Sequence, residues 1–352
     1  MNRDEYYINK LFNQRVLLKT HNQELLHKIY ASKYANWVVP FLQSKKVKEV
    51  PLLICCHTLK KLPYFYSLNG KSFFIIDFSL YDYFYDLNYS FSSEERNEFF
   101  ANVCIKAIIE QLYISHNIDL CYLLCTTSNN VEKYKLENDY KNHKLMYDLA
   151  EKTDLQEAFL LLHEAMHAFF DKTDDVSKHP SYNTIKYIFK SDKLPPLDEL
   201  FWEECLCDYE AISYIFQKEF ESKSVSVKAF VVLFFEAIRY LYYLQYISET
   251  FFGTNQTVSN EQFSPLVIFS LRLNVVYYSI CNYFIENKHQ EYLDIIKPIY
   301  EENVLKLKTD AKTLRIIMNY INEELPKITD TENLNISKNE KTEYIKDFLL
   351  LL

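Results

Sequence analysis

Apolar positions recur along most of this chain at the three- and four-residue intervals of a helix, and switch to strand-like runs in one region. Residues 4–44 follow the helical interval, with Pro40 near the end of the run. Residues 50–78 differ. "VPLLICC" is a short apolar run of strand type, and "YFYSLNGKSFFIIDF" sets two aromatic and β-branched runs around Asn69-Gly70, the turn pair of a two-residue hairpin. "SSEE" from Ser92 to Glu95 has the spacing of a capping box and predicts a helix to about Ser115. "LCYLLC" at 120–125 fits either a strand or a short buried helix. Residues 131–150 are polar and helical, and Thr153 with Gln156 forms a second capping-box pattern ahead of a helix over 154–171. "YNTIKYIF" (182–189) is a short helix. Beyond Pro195 and Pro196 the periodicity predicts helices at about 198–219, 226–252, 262–286, 290–306 and 310–325, then a polar linker over 326–340 and a closing "YIKDFLLLL". The expected fold class is mainly α with a small β element. The composition shift at "ESKSVSV" (221–227) divides the chain into 1–220, which holds the β element, and a helical 221–352, unless the two form one domain.

Composition narrows the function classes. There are two glycines in 352 residues, Gly70 and Gly253, which excludes glycine-rich phosphate loops and dinucleotide fingerprints. A formal net charge of −9 gives no electrostatic reason to expect a nucleic-acid partner. "MNRDEYYINK" is polar and no apolar run follows it, so no secretory signal is expected. None of the eight cysteines falls in a CxxC pair, and reduced thiols in a cytoplasmic setting are the expectation. Residues 263–285 carry a single charge, Arg272, and are long enough to span a bilayer. A central arginine is costly in lipid, so a buried core helix is expected there and membrane association is not.

The chemistry concentrates in "LLLHEAMHAFF" (160–170). Burying two histidines and a glutamate in an apolar stretch costs free energy unless they are paired or bound to something. Residues four apart share a helix face, so His163 and His167 can reach one metal ion. Glu164 lies about 100° further round the helix, displaced from ligation but near enough to act as general base toward a water. The plain alternative is an amphipathic helix whose solvated face carries two histidines.

Catalytic zinc needs a third protein ligand. "ELFWEECLCDYEAISYIF" (199–216) holds five acids, and the helical wheel separates them. Glu204 and Asp208 fall among Leu200, Phe201, Ala211, Ile212, Ile215 and Phe216. Glu199, Glu203 and Glu210 fall on the opposite side, which is expected to face solvent. Buried carboxylates need a cation or strong donors. Glu204 can be the third ligand, and Asp208 can accept the N–H of a ligating histidine and fix its tautomer. The competing arrangement pairs both acids with arginine or lysine inside the core.

"HEAMH" (163–167) followed by "EECLCD" (203–208) resembles the gluzincin zinc peptidases, whose signature is HExxH and a later ExxxD on a second helix. Carried over by position, the resemblance implies a Zn²⁺ held by His163, His167 and Glu204, with Glu164 as general base and Asp208 as the orienting acid. It implies a protein or peptide substrate, and the missing secretory signal is similar to the intracellular phage-exclusion type of HExxH peptidase. "NGKSFFIIDF" would be the edge strand that pairs with an extended substrate. Two other functions fit the residues: a non-catalytic helical interaction or effector-regulating protein with an incidental HExxH, and a hydrolase of the same build acting on a non-peptide amide. Cys205 and Cys207 point away from Glu204 on the wheel and read as core thiols. Cys55-Cys56-His57 reads as a buried strand. His179 is either an oxyanion donor or a surface residue. Tyr209 and Tyr214 point away from the Glu204 face. Oligomeric state is not legible.

Overall fold

The computed structural model describes residues 23–56, 62–68, 70–92, 96–127, 143–171, 176–189, 199–220, 226–252, 264–324 and 336–351. The protein is mostly helical with one three-stranded sheet. The first helix, α1 (Gln23–Lys33), runs through a π-helical turn at Tyr34–Val38 into α2 (Val39–Ser44). Pro40 sits in the first turn of α2, where a missing N–H is tolerated.

Strand β1 (Leu52–Cys56) comes from the "LLICC" run, and β2 (Tyr64–Leu68) and β3 (Lys71–Asp77) come from the two runs around Gly70. β2 pairs antiparallel to β3 with Leu68 opposite Lys71, and Gly70 takes the left-handed φ of 72° that such a turn requires. Asn69 lies outside the described residues. β1 pairs parallel to β3, giving the order β1-β3-β2. The "KSFFIID" strand is therefore central and paired on both sides. It cannot be the edge strand; β2 holds that place. The short-range hairpin signal locates both strands but not the third, which decides which of them is left at an edge.

Helix α3 (Leu80–Ser92) buries Leu80, Tyr83, Phe84, Leu87 and Asn88 at helical spacing. Ser92 ends this helix and donates to Asn88 O, so it does not act as a cap in the expected way; residues 93–95 lie outside the described set. Helices α4 (Arg96–Ile114) and α5 (Ile118–Thr127) follow, the latter resolving "LCYLLC" as a buried helix. The long α6 (His143–Phe170) carries HExxH. Thr153 and Gln156 are interior to it, not at its start. Both are fully buried, and the Asn88 amide of α3 donates to Thr153 Oγ1 at 2.9 Å and Gln156 Oε1 at 2.7 Å. Their polar groups serve a packing contact between helices, which a local pattern cannot distinguish from a cap.

The short α7 (Tyr182–Ile188) precedes α8 (Glu199–Ile215), which carries the acids and continues into a π-helical turn at Phe216–Phe220. Helices α9 (Val227–Phe252) and α10 (Pro265–Glu286) pack against this pair. Residues 290–306 and 310–325 are one helix, α11 (Leu293–Asn319), with a π-helical turn to Glu324. Asp310 lies where the sequence suggested a new start, but it is buried and paired with Arg239 of α9, which also donates to Tyr243 Oη at 3.0 Å. Helix α12 (Lys338–Leu351) closes the chain. One hydrophobic core runs through all of this, from Tyr30 to Phe348, with both sides of 221–227 contributing. Among the described residues no helix is long and apolar enough to cross a membrane.

Asn88 accepts from Tyr240 Oη at 2.9 Å while donating to α6, so it joins α3, α6 and α9. Asn88→Ala should leave buried polar groups unpaired at about 1–3 kcal/mol each, and lower the unfolding free energy by about 2–4 kcal/mol. Urea unfolding of the two proteins checks this; equal stability would show that water replaces the amide.

Candidate metal centre

Helices α6 and α8 pack along each other, and the motif residues meet where they face. The His163 and His167 rings lie 5.4 Å apart between centroids, at 78° to each other. The Glu204 carboxylate of α8 faces both. Its Oε2 is 3.3 Å from His163 Nε2 and its Oε1 is 3.5 Å from His167 Nε2. Glu164 Oε1 lies 4.0 Å from His163 Nε2, beside the ring nitrogens and further from them than Glu204.

The opposite ring nitrogens are also engaged. His163 Nδ1 donates to Asp208 Oδ1 at 2.8 Å. His167 Nδ1 donates to Glu203 Oε1 at 2.6 Å. An ionised carboxylate can only accept, so both Nδ1 atoms carry the proton and both Nε2 atoms are turned toward Glu204. Glu203 was expected to face solvent. Its side chain instead meets His167 of α6 and is only 21% exposed. Glu210, also expected in solvent, is buried, paired with Lys45 and accepting from Ser181 Oγ at 2.7 Å. Glu199 is exposed, as expected.

Arg272 is a part of this site that the helical pattern does not reveal. It projects from α10, donates Nε to Asp208 Oδ2 at 2.8 Å and Nη2 to Asp208 Oδ1 at 2.7 Å, and places Nη1 3.3 Å from Glu204 Oε2. The predicted core helix and the predicted pairing of the buried acids with a core cation are thus one feature. A lone charge in the middle of an apolar 23-residue stretch was the available signal.

Charge governs the protonation states. Burial alone would lower the His163 pKa, but Asp208 overrides it and raises it to about 10. Burial likewise opposes a charge on His167, and the hydrogen bond to Glu203 with the charges of Glu164 and Glu204 raises its pKa. Burial would raise both acids; His163 and Arg272 hold Glu204 and Asp208 below the usual carboxylate range. Four carboxylates, Glu164, Glu203, Glu204 and Asp208, therefore face one guanidinium. Against that single positive charge they leave an excess of three negative ones. Two imidazolium protons offset two of these, and so would one divalent cation taking the place of both protons.

The donor set fits such a cation. Ligands at about 2.0–2.1 Å from a tetrahedral zinc lie about 3.3–3.4 Å from one another. Glu204 brings one oxygen to 3.3 Å from His163 Nε2 and the other to 3.5 Å from His167 Nε2, each pair close to that spacing. Carboxylates on both Nδ1 atoms are the usual partners of metal-binding histidines. A second grouping also exists: donor atoms of His163, His167 and Cys207 lie within 4.8 Å of one another. Cys207 was expected to point away, and its sulfur instead lies 3.8 and 3.9 Å from the two nitrogens of His167. Those nearly equal distances put it beside the ring and off the lone-pair axis of Nε2, so Glu204 is the better aimed third donor.

His163, Glu164, His167, Glu203, Glu204 and Arg272 form the floor of a cleft of 480 Å³. Tyr64 and Phe65 of the edge strand β2 line one wall, and Leu241, Leu244 and Phe269 of α9 and α10 line another. Among the described residues, Tyr64 is the tyrosine that lines the cleft. Tyr214 packs on Phe41 with centroids 5.1 Å apart. His179 packs on Phe169 and Phe170 beside Glu210 and does not line the cleft. His57 lies outside the described residues. No protein-family model matches the chain, and neither does any curated protein or solved structure.

Breaking a buried ion pair by removing one partner costs about 3–5 kcal/mol. Arg272→Ala should destabilise the protein by that amount, since Asp208 keeps only an imidazole. Denaturant unfolding of the variant reads this directly, and an unchanged midpoint would show that Asp208 does not depend on the guanidinium.

Proposed function

We propose that the chain is a zinc-dependent metallopeptidase acting on a protein or peptide substrate. The observation that carries this reading is the placement of Glu204 between two imidazoles, each held at its far nitrogen by a carboxylate, on the floor of an open cleft. His163, His167 and Glu204 would hold the ion. When bound, zinc lowers the pKa of a water toward about 7 and polarises a carbonyl as a Lewis acid.

The chain's own residues do the rest. Glu164 stands at the cleft floor beside the ligand nitrogens, placed to take a proton from the attacking water and deliver it to the leaving amine. Asp208, itself clamped by Arg272, fixes His163, and Arg272 also brings its charge to Glu204. Tyr64 and Gln245 line the cleft and are the residue types that could donate to a developing oxyanion there. The edge strand β2 offers an extended peptide a strand to pair with beside the site. All eight cysteines are free thiols, which suits a cytoplasmic protein.

One observation favours a second reading. Arg272 already satisfies the buried Asp208 and approaches the half-buried Glu204, so both acids have a cation without any metal. A non-catalytic helical protein would use the same residues as a polar core.

Zinc separates the two. Protein purified without chelators should carry near-stoichiometric zinc by elemental analysis, and His163→Ala much less; equal metal in both would remove His163 from the ligand set. Glu164→Gln keeps the shape but cannot accept a proton. It should keep zinc and the fold while peptide cleavage falls by at least about 10²–10⁴-fold. A folded, zinc-loaded Glu164→Gln protein with full activity would end the peptidase reading.

A further inference from the structure

Glu203 and Glu204 are adjacent on α8, yet they meet opposite nitrogens of the same ring. Glu204 Oε1 faces His167 Nε2 at 3.5 Å, and Glu203 Oε1 accepts from His167 Nδ1 at 2.6 Å. We propose that Glu203 is a positioning residue that sets metal affinity through His167; this rests on the metallopeptidase reading above.

The argument is geometric. An imidazole can flip about its Cβ–Cγ bond, and in the flipped state a ring C–H would meet the Glu203 carboxylate. That orientation loses a charge-assisted hydrogen bond, one of the stronger kinds. Glu203 therefore selects the orientation in which Nε2 points at Glu204. It also selects the tautomer, because a carboxylate on Nδ1 keeps the proton there and leaves the lone pair on Nε2.

The two histidines are held unequally. Asp208 has no exposed side-chain surface and is itself clamped by Arg272, so His163 is fixed by a chain of three buried groups. The side chains of His167 and Glu203 are 20% and 21% exposed. The carboxylate of Glu203 is thus a more accessible hold, on the half of the site that opens to the cleft. Within one helical turn, α8 supplies a group for each nitrogen of the ring that α6 presents.

The test is zinc affinity, measured by competition with a chromophoric chelator. Glu203→Ala should weaken binding by about 10–100-fold, the effect typical of losing such a partner. Glu203→Gln should retain part of the affinity, since its amide oxygen still accepts from Nδ1. In a His167→Ala background, Glu203→Ala should cost nothing further, because its effect passes through the missing ring. Thermal unfolding of the metal-free variants shows that each is folded. Wild-type affinity in Glu203→Ala, or the same loss with and without His167, would overturn the proposal. Wild-type protein that binds no zinc would fail at the first step, and would sink the metal reading before any variant is compared.

Discussion

Asp208 is a fully buried, ionised carboxylate, and the arrangement of three helices follows from what that requires. A buried charge of this kind is tolerated only when paired and hydrogen-bonded on all sides. Asp208 accepts from His163 of α6 and twice from Arg272 of α10, while its own helix, α8, lies between them. The three helices are thereby fixed in rotation as well as in distance. Turning any one of them would strand a charge in the core.

The same constraint shapes the site. With Asp208 on Nδ1, His163 can only turn Nε2 toward the cleft. With Arg272 committed to Asp208 through two of its nitrogens, the third is left to approach Glu204. Glu204 is thus held by the core from one side and faces the imidazoles from the other. A polar core and a metal site make similar demands here, which is why the two functional readings share their residues. What distinguishes a site from a core is access, and the cleft beside β2 provides it.

Much of this was legible in the sequence because helix geometry is local. The four-residue spacing of His163 and His167 fixes their common face, and the apolar neighbours of Glu204 and Asp208 fix theirs. The hairpin was legible from Gly70 and its flanking runs. What escaped was non-local. Arg272 is 64 residues from Asp208 in the chain, and only packing joins them. Thr153 and Gln156 have the spacing of a cap, and their partner is Asn88 on another helix. Glu203 sits on the side of α8 expected to face water, but a neighbouring helix presents His167 there. The parallel β1 turned the expected edge strand into the central one. In each case the local pattern was sound and the tertiary partner decided its meaning.

The central claim is a single ion held by two imidazoles and the Glu204 carboxylate, with Cys207 beside the site and not bound to it. X-ray absorption at the zinc edge, on protein purified without chelators, tests this most directly. The account predicts a first shell of nitrogen and oxygen only, at about 2.0–2.1 Å, with two imidazoles. A sulfur scatterer at about 2.3 Å would instead place Cys207 in the shell and close the site. A shell without imidazoles would contradict the account altogether.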